Sequence, residues 1–116
     1  MDLNNISLTG RLTDEPDLRY TENEVAVCNF TIAVERNYKN RSGERDVDFI
    51  KIVVWRKLAE LCAENLGTGR RVAVDGALQI NKSEREDKVY YNPEVIADDV
   101  IFLDWPKNKK QKKKGA

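Results

Sequence analysis

The alternation of apolar and polar positions divides the chain into five strand-like stretches and one helix-like stretch. Ile6, Leu8, Gly10 and Leu12 alternate with Ser7, Thr9, Arg11 and Thr13, the period-2 pattern of a half-buried strand with a glycine bend inside it. Residues 14–17, with Pro16, break the pattern, and 20–24 read as a turn. In the second strand Ala26, Cys28, Phe30, Ile32 and Val34 form one apolar face against Val27, Asn29, Thr31 and Ala33, so it is expected to be buried and central. The third strand sets Ile50, Ile52 and Val54 on one side and Val47, Phe49, Lys51, Val53 and Trp55 on the other. Leu58, Leu61 and Cys62 then fall at i, i+3 and i+4, and Leu66 precedes Gly67 and Gly69, which predicts a short amphipathic helix over 57–66 plugging one end of the sheet. Val72, Val74, Gly76, Leu78 and Ile80 mark a fourth strand, and 81–88 read as a charged loop. A fifth strand over 89–103 is interrupted by Pro93, which belongs at an edge or bulge, and by Asp98 and Asp99.

Composition narrows the function classes. At 116 residues with 41% hydrophobic and 34% charged positions, one globular domain is expected, and no apolar run approaches the ~20 residues of a spanning helix. Residues 1–6 show no basic stretch leading into an apolar one, so a cytoplasmic, nucleoid-associated location is expected, with no membrane contact. Cys28 and Cys62 sit at core-facing positions without paired spacing, which suits reduced packing thiols. The chain contains no His, so the usual general base near neutral pH and the commonest metal ligand are missing; no catalytic residue, metal or cofactor is expected.

The zero net charge hides an asymmetry. Six lysines fall between 107 and 114, which leaves residues 1–104 with 14 basic against 20 acidic groups, a net of −6. An acidic body does not attract a polyanion by bulk charge, so nucleic-acid binding would need a locally basic face or the tail. Residues 1–105 read as the folded domain and 106–116 as a disordered Lys-rich tail.

Three strands, a helix and two more strands, with glycines where strands must bend, is the order of an all-β fold with one short helix: a five-stranded OB-fold Greek-key barrel, whose faces bind oligonucleotides. The third strand supplies a candidate face. Phe49, Lys51 and Trp55 project to one side, spaced at about 6.6 and 13 Å on a rise of 3.3 Å per residue, so two stacking platforms flank a cation. Tyr38 lies in a basic hairpin loop with Arg36, Lys39, Arg41 and Arg45, and Arg56, Lys57, Arg70 and Arg71 extend the basic surface.

The segments LTGRLTDEPDLRY (8–20), VAVCNFTIAVERNY (25–38), DFIKIVVWRKLAE (48–60), VAVDGALQ (72–79) and VYYNPEVIADDVIFL (89–103) resemble the bacterial single-stranded DNA-binding protein family. The resemblance covers about residues 1–104. It implies an OB fold, a homotetramer and sequence-independent wrapping of single-stranded DNA in replication, recombination or repair. By position, Tyr38, Phe49 and Trp55 match the family's base-stacking aromatics, and Arg11, Lys51, Arg56 and Lys57 lie in matching basic segments.

The sequence departs from the family at two places. Ser83 stands where the family often has another aromatic, for which Tyr90 or Tyr91 is a substitute. The family's chains end in a flexible linker with an acidic, hydrophobic tip that recruits replication and repair enzymes; here Trp105 runs into KNKKQKKKGA, so recruitment through such a tip is not expected. Two other readings stand beside this one. An OB-fold replication accessory or RNA-binding protein would act mainly as a bridge between partners, and a small nuclease would use Asp46 and Asp48, or Asp98 and Asp99, to hold Mg²⁺.

Overall fold

The computed structural model describes residues 2–104; Met1, Trp105 and the Lys-rich segment expected to be disordered lie outside the described residues. The elements run β1 (Ile6–Leu12), β2 (Asp17–Tyr20), β3 (Ala26–Glu35), β4 (Val47–Trp55), α1 (Arg56–Asn65), β5 (Arg71–Arg85) and β6 (Lys88–Phe102). They form one sheet in the order β1-β5-β6-β4-β3-β2, and a β1–β3 pairing closes it. Five strands therefore make a ring, β1-β3-β4-β6-β5, in which the β4–β6 pairing is parallel and the others antiparallel. This is the expected OB barrel, with β2 added as a short edge strand on β3.

The core is built from the alternation. Cys28, Phe30 and Ile32 of β3, Ile52 and Val54 of β4, Val72 and Val74 of β5 and Val95 of β6 are buried on the inner face. Each such Ile, Val or Phe contributes roughly 1.5–3 kcal/mol relative to exposure. Helix α1 closes the barrel through Ala59 and Cys62, with Leu66 just beyond its end. The expected stripe was Leu58, Leu61 and Cys62, but Leu61 is exposed and Leu58 only partly buried. The small Ala59 side chain lets the helix sit closer to the barrel than a leucine would.

Gly10 and Gly76 permit close backbone approach. A Cβ on Gly10 would stand 2.6 Å from the Ala33 carbonyl oxygen, and one on Gly76 would collide with that of Ile96. Gly76 also marks an irregularity: β5 pairs Asp75 with Asp99 and Gly76 with Ala97, so Asp98 is the extra residue of a β-bulge.

Two segments differ from the expected loops. Asp17–Tyr20 is a strand, too short and too close to Pro16 for alternation to reveal it. Residues 81–88 are not a loop: β5 and β6 continue as an antiparallel arm to Arg85 and Lys88, joined by Glu86 and Asp87. The arm lacks a core to cover, so its ladder carries no apolar period. Pro93 lies in that arm, before the pairing of β6 with β4 begins at Val95, where its missing N–H costs no ladder bond on the β4 side.

Candidate nucleic-acid interface

Strand β4 ends its outer face on three exposed side chains, Phe49 (69% exposed), Lys51 and Trp55 (41%). Val53, between Lys51 and Trp55 on that face, is buried instead, flanked by its register partners Asn29 and Ile96 where β6 joins β4. The sequence pattern placed it on the face of Lys51 and Trp55 without showing its burial, since alternation alone does not reveal a parallel neighbour. Trp55 sits at the junction with α1, immediately before Arg56, whose φ is +63°.

Register carries this face across the sheet. Phe49 pairs with Ala33, Ala33 with Arg11, and Arg11 with Arg71, so one row crosses β4, β3, β1 and β5. Paired residues project to the same side, and strands lie ~4.8 Å apart, so Arg11 is about 10 Å from Phe49 along the sheet and Arg71 one strand further. Because Gly10 and Ala33 are small, the row passes over a groove of about 580 Å³, which Arg11, Arg36, Arg45 and Arg71 also line. The sequence reading placed Arg45 in the basic loop, and the structure adds it to this groove.

The β3–β4 connection is a built hairpin. The Arg36 amide donates to the Asp46 carbonyl and the Asn40 amide to that of Glu44. Asn40 Oδ1 accepts from the amides of Ser42 and Glu44, its Nδ2 donates to Asp46, and Arg45 Nη1 donates to the Arg36 carbonyl. Arg36 grips Asp48 with two donors, Nε and Nη2, each at 3.0 Å, and its Nη1 donates to the Tyr38 hydroxyl at 3.2 Å. The bonded guanidinium holds the Asp48 carboxyl below the usual carboxylate range and raises its own pKa in turn. Asp46 and Asp48, once considered as metal ligands, thus serve the hairpin.

Other cations are also engaged. Lys51 Nζ lies 3.5 Å from a carboxylate oxygen of Glu94, a buried acid at the start of the β4–β6 pairing. Arg11 reaches Asp104 at 3.6 Å and the Gly69 carbonyl at 3.1 Å.

All eleven candidate residues, Arg11, Arg36, Tyr38, Lys39, Arg41, Phe49, Lys51, Trp55, Arg56, Lys57 and Arg71, are exposed. The row unites Phe49, Arg11 and Arg71 on the face of Lys51 and Trp55. Tyr38, Lys39 and Arg41 occupy the hairpin, and Lys57 lines a different groove with Leu18, Tyr20 and Glu60. Arg70, expected at the surface, is buried. Ser83 pairs with Tyr90 and Lys82 with Tyr91, so Tyr90 shares the face of Ser83 on the adjacent strand, 46% exposed.

The model of the single-strand binding protein family matches residues 3–103. A single-stranded DNA-binding protein of Caldanaerobacter subterraneus subsp. tengcongensis is 52% identical over 103 residues, covering 88% of this chain and 69% of that one. One of Bacillus cereus is 50% identical over 107 residues, covering 91% and 62%. The chain thus spans about two thirds of the length of these relatives. Among solved structures, a Plasmodium falciparum SSB in complex with ssDNA superposes with a TM-score of 0.81 at 32% identity, covering 90% of this chain and 97% of that one. Fold and sequence agree, and the chain belongs to the single-strand binding protein family.

Proposed function

We propose that this chain binds single-stranded DNA without sequence preference and protects it during replication, recombination or repair, with no catalytic step. The observation that carries the reading is the row from Phe49 through Ala33 to Arg11 and Arg71, beside Lys51 and Trp55. Exposed aromatic faces accept stacked bases at ~1–3 kcal/mol each, and the cations take the phosphates between them. Bases stack on Trp55 and Phe49, and the backbone continues over Gly10 and Ala33 into the arginine-lined groove. Tyr38, Lys39 and Arg41 contact the strand from the hairpin, Arg36 holds the Tyr38 ring, and Arg56 and Lys57 prolong the basic surface beyond Trp55. Tyr90 supplies the platform that Ser83 does not.

The family likeness supports a homotetramer in the cytoplasm, with residues 1–105 as the binding domain and the Lys-rich segment after it as an electrostatic arm. Among the described residues no helix is long and apolar enough to cross a membrane. Competition tests the ligand. Unlabelled single-stranded DNA should displace labelled oligo-dT at far lower concentration than single-stranded RNA or duplex. Displacement by RNA at equal or lower concentration would favour an RNA-binding accessory role.

A further inference from the structure

Three ion pairs engage cations of the proposed interface: Lys51 with Glu94, Arg36 with Asp48 and Arg11 with Asp104. The Lys51 pair is unequal. Its ammonium is exposed between Phe49 and Trp55, whereas Glu94, beside it on the same outer side of the neighbouring strand β6, is only 8% exposed. A buried carboxylate is costly unless paired, so Glu94 depends on the lysine that the strand would also use. Asp48 occupies Nε and Nη2 of Arg36 bidentately, the geometry a phosphate would take. Phe49 and Trp55 are exposed beside them, so the interface presents rings to solvent and charges already engaged.

This difference separates two ligands. A duplex offers dense phosphates, about one charge per 1.7 Å, but keeps its base faces stacked inside. A single strand offers phosphates and base faces together. We infer that Glu94 and Asp48 are specificity determinants, masking interface cations so that duplex is rejected while single strands, held by stacking, are retained. The inference rests on the proposed single-strand reading. Discrimination then arises from a built-in competitor for phosphate as well as from contacts to the preferred ligand.

The test measures affinities of Glu94→Gln, Asp48→Asn and the double variant for oligo-dT and for duplex of equal length, across a salt series. Asp98→Asn, at the exposed bulge residue of β6 outside the interface, controls for the change in net charge. Circular dichroism certifies each fold, and Asp48→Asn, at a partly exposed site, gives a second reading if Glu94→Gln is destabilised. A single strand drawn in by stacking already meets these cations in the wild type, whereas a duplex gains the contact only on unmasking. This should steepen the duplex salt slope alone by about 0.9 per cation, worth about eightfold in affinity for each tenfold drop in salt. The ratio of single-strand to duplex affinity should fall accordingly in both variants and more in the double variant, while Asp98→Asn keeps the wild-type ratio. An unchanged ratio, an equal gain on both ligands, weaker binding to both, or the same shift in Asp98→Asn would overturn the inference. Failure of the wild type to bind oligo-dT would overturn the single-strand reading first and this one with it.

Discussion

At the scale of single residues, chemistry follows from which side of a strand a side chain occupies. Cys28 on β3 and Cys62 on α1 are both free thiols in the core. Burial pushes the Cys28 thiol up to about 11, with Asp17 adding to it, and the Cys62 thiol up to about 12, with Cys28 adding to it. The thiolate is the nucleophile, so at pH 7 almost none is present. Iodoacetamide should therefore leave both cysteines unlabelled in the native protein and label both in denaturant, as mass spectrometry would show; native labelling at pH 7 would contradict the burial. Phe49, Lys51 and Trp55 were legible as a face because alternation reports directly on strand sides. Val53 and Arg70 were not, because their burial depends on a strand or segment distant in sequence. Glu94 gave no signal either: nothing local shows that an acid beside Pro93 will lie next to Lys51 on a parallel neighbour.

Elements are decided by pairing as much as by pattern. The five barrel strands could be read because each buries one face, whereas the outer β5–β6 arm is held by its ladder and two turn residues. Glu86 and Asp87 both adopt positive φ, +49° and +66°, between the paired Arg85 and Lys88. That is the geometry of a type I′ hairpin turn, which favours Asn-Gly. Side chains other than Gly, Asn and Asp pay about 1–2 kcal/mol in the left-handed region, so the relief comes mainly at Glu86, and Gly costs about 0.5–1 kcal/mol in chain entropy. Glu86→Asn combined with Asp87→Gly should thus stabilise the arm by ~1 kcal/mol, slowing amide exchange over residues 80–93 by about fivefold. Unchanged exchange across the arm would show that the turn does not limit its opening.

For the whole molecule, the balance of charge and stacking decides the ligand. Residues 1–104 carry a net of −6, and several interface cations are already paired, so the proposed electrostatic arm of lysines between 107 and 114 would supply most of the long-range attraction. Each phosphate neutralised on a single strand adds about −0.7 to the slope of log affinity against log salt. Deleting 107–116 should flatten that slope while leaving the tryptophan signal intact; an unchanged slope would mean that the tail does not touch DNA. The barrel itself was legible from element order and bends, but the row joining Phe49 to Arg71 needed the register of four strands, which no single stretch of sequence contains. The most direct measurement is a fluorescence titration with oligo-dT in a Trp105→Phe background, where Trp55 is the sole tryptophan, repeated with Phe49→Ala. Stacking on this face predicts strong quenching in the parent and an affinity loss of roughly 1–3 kcal/mol in the Phe49→Ala variant at unchanged fold. Tight binding without quenching, or an affinity indifferent to Phe49, would contradict the interface proposed here.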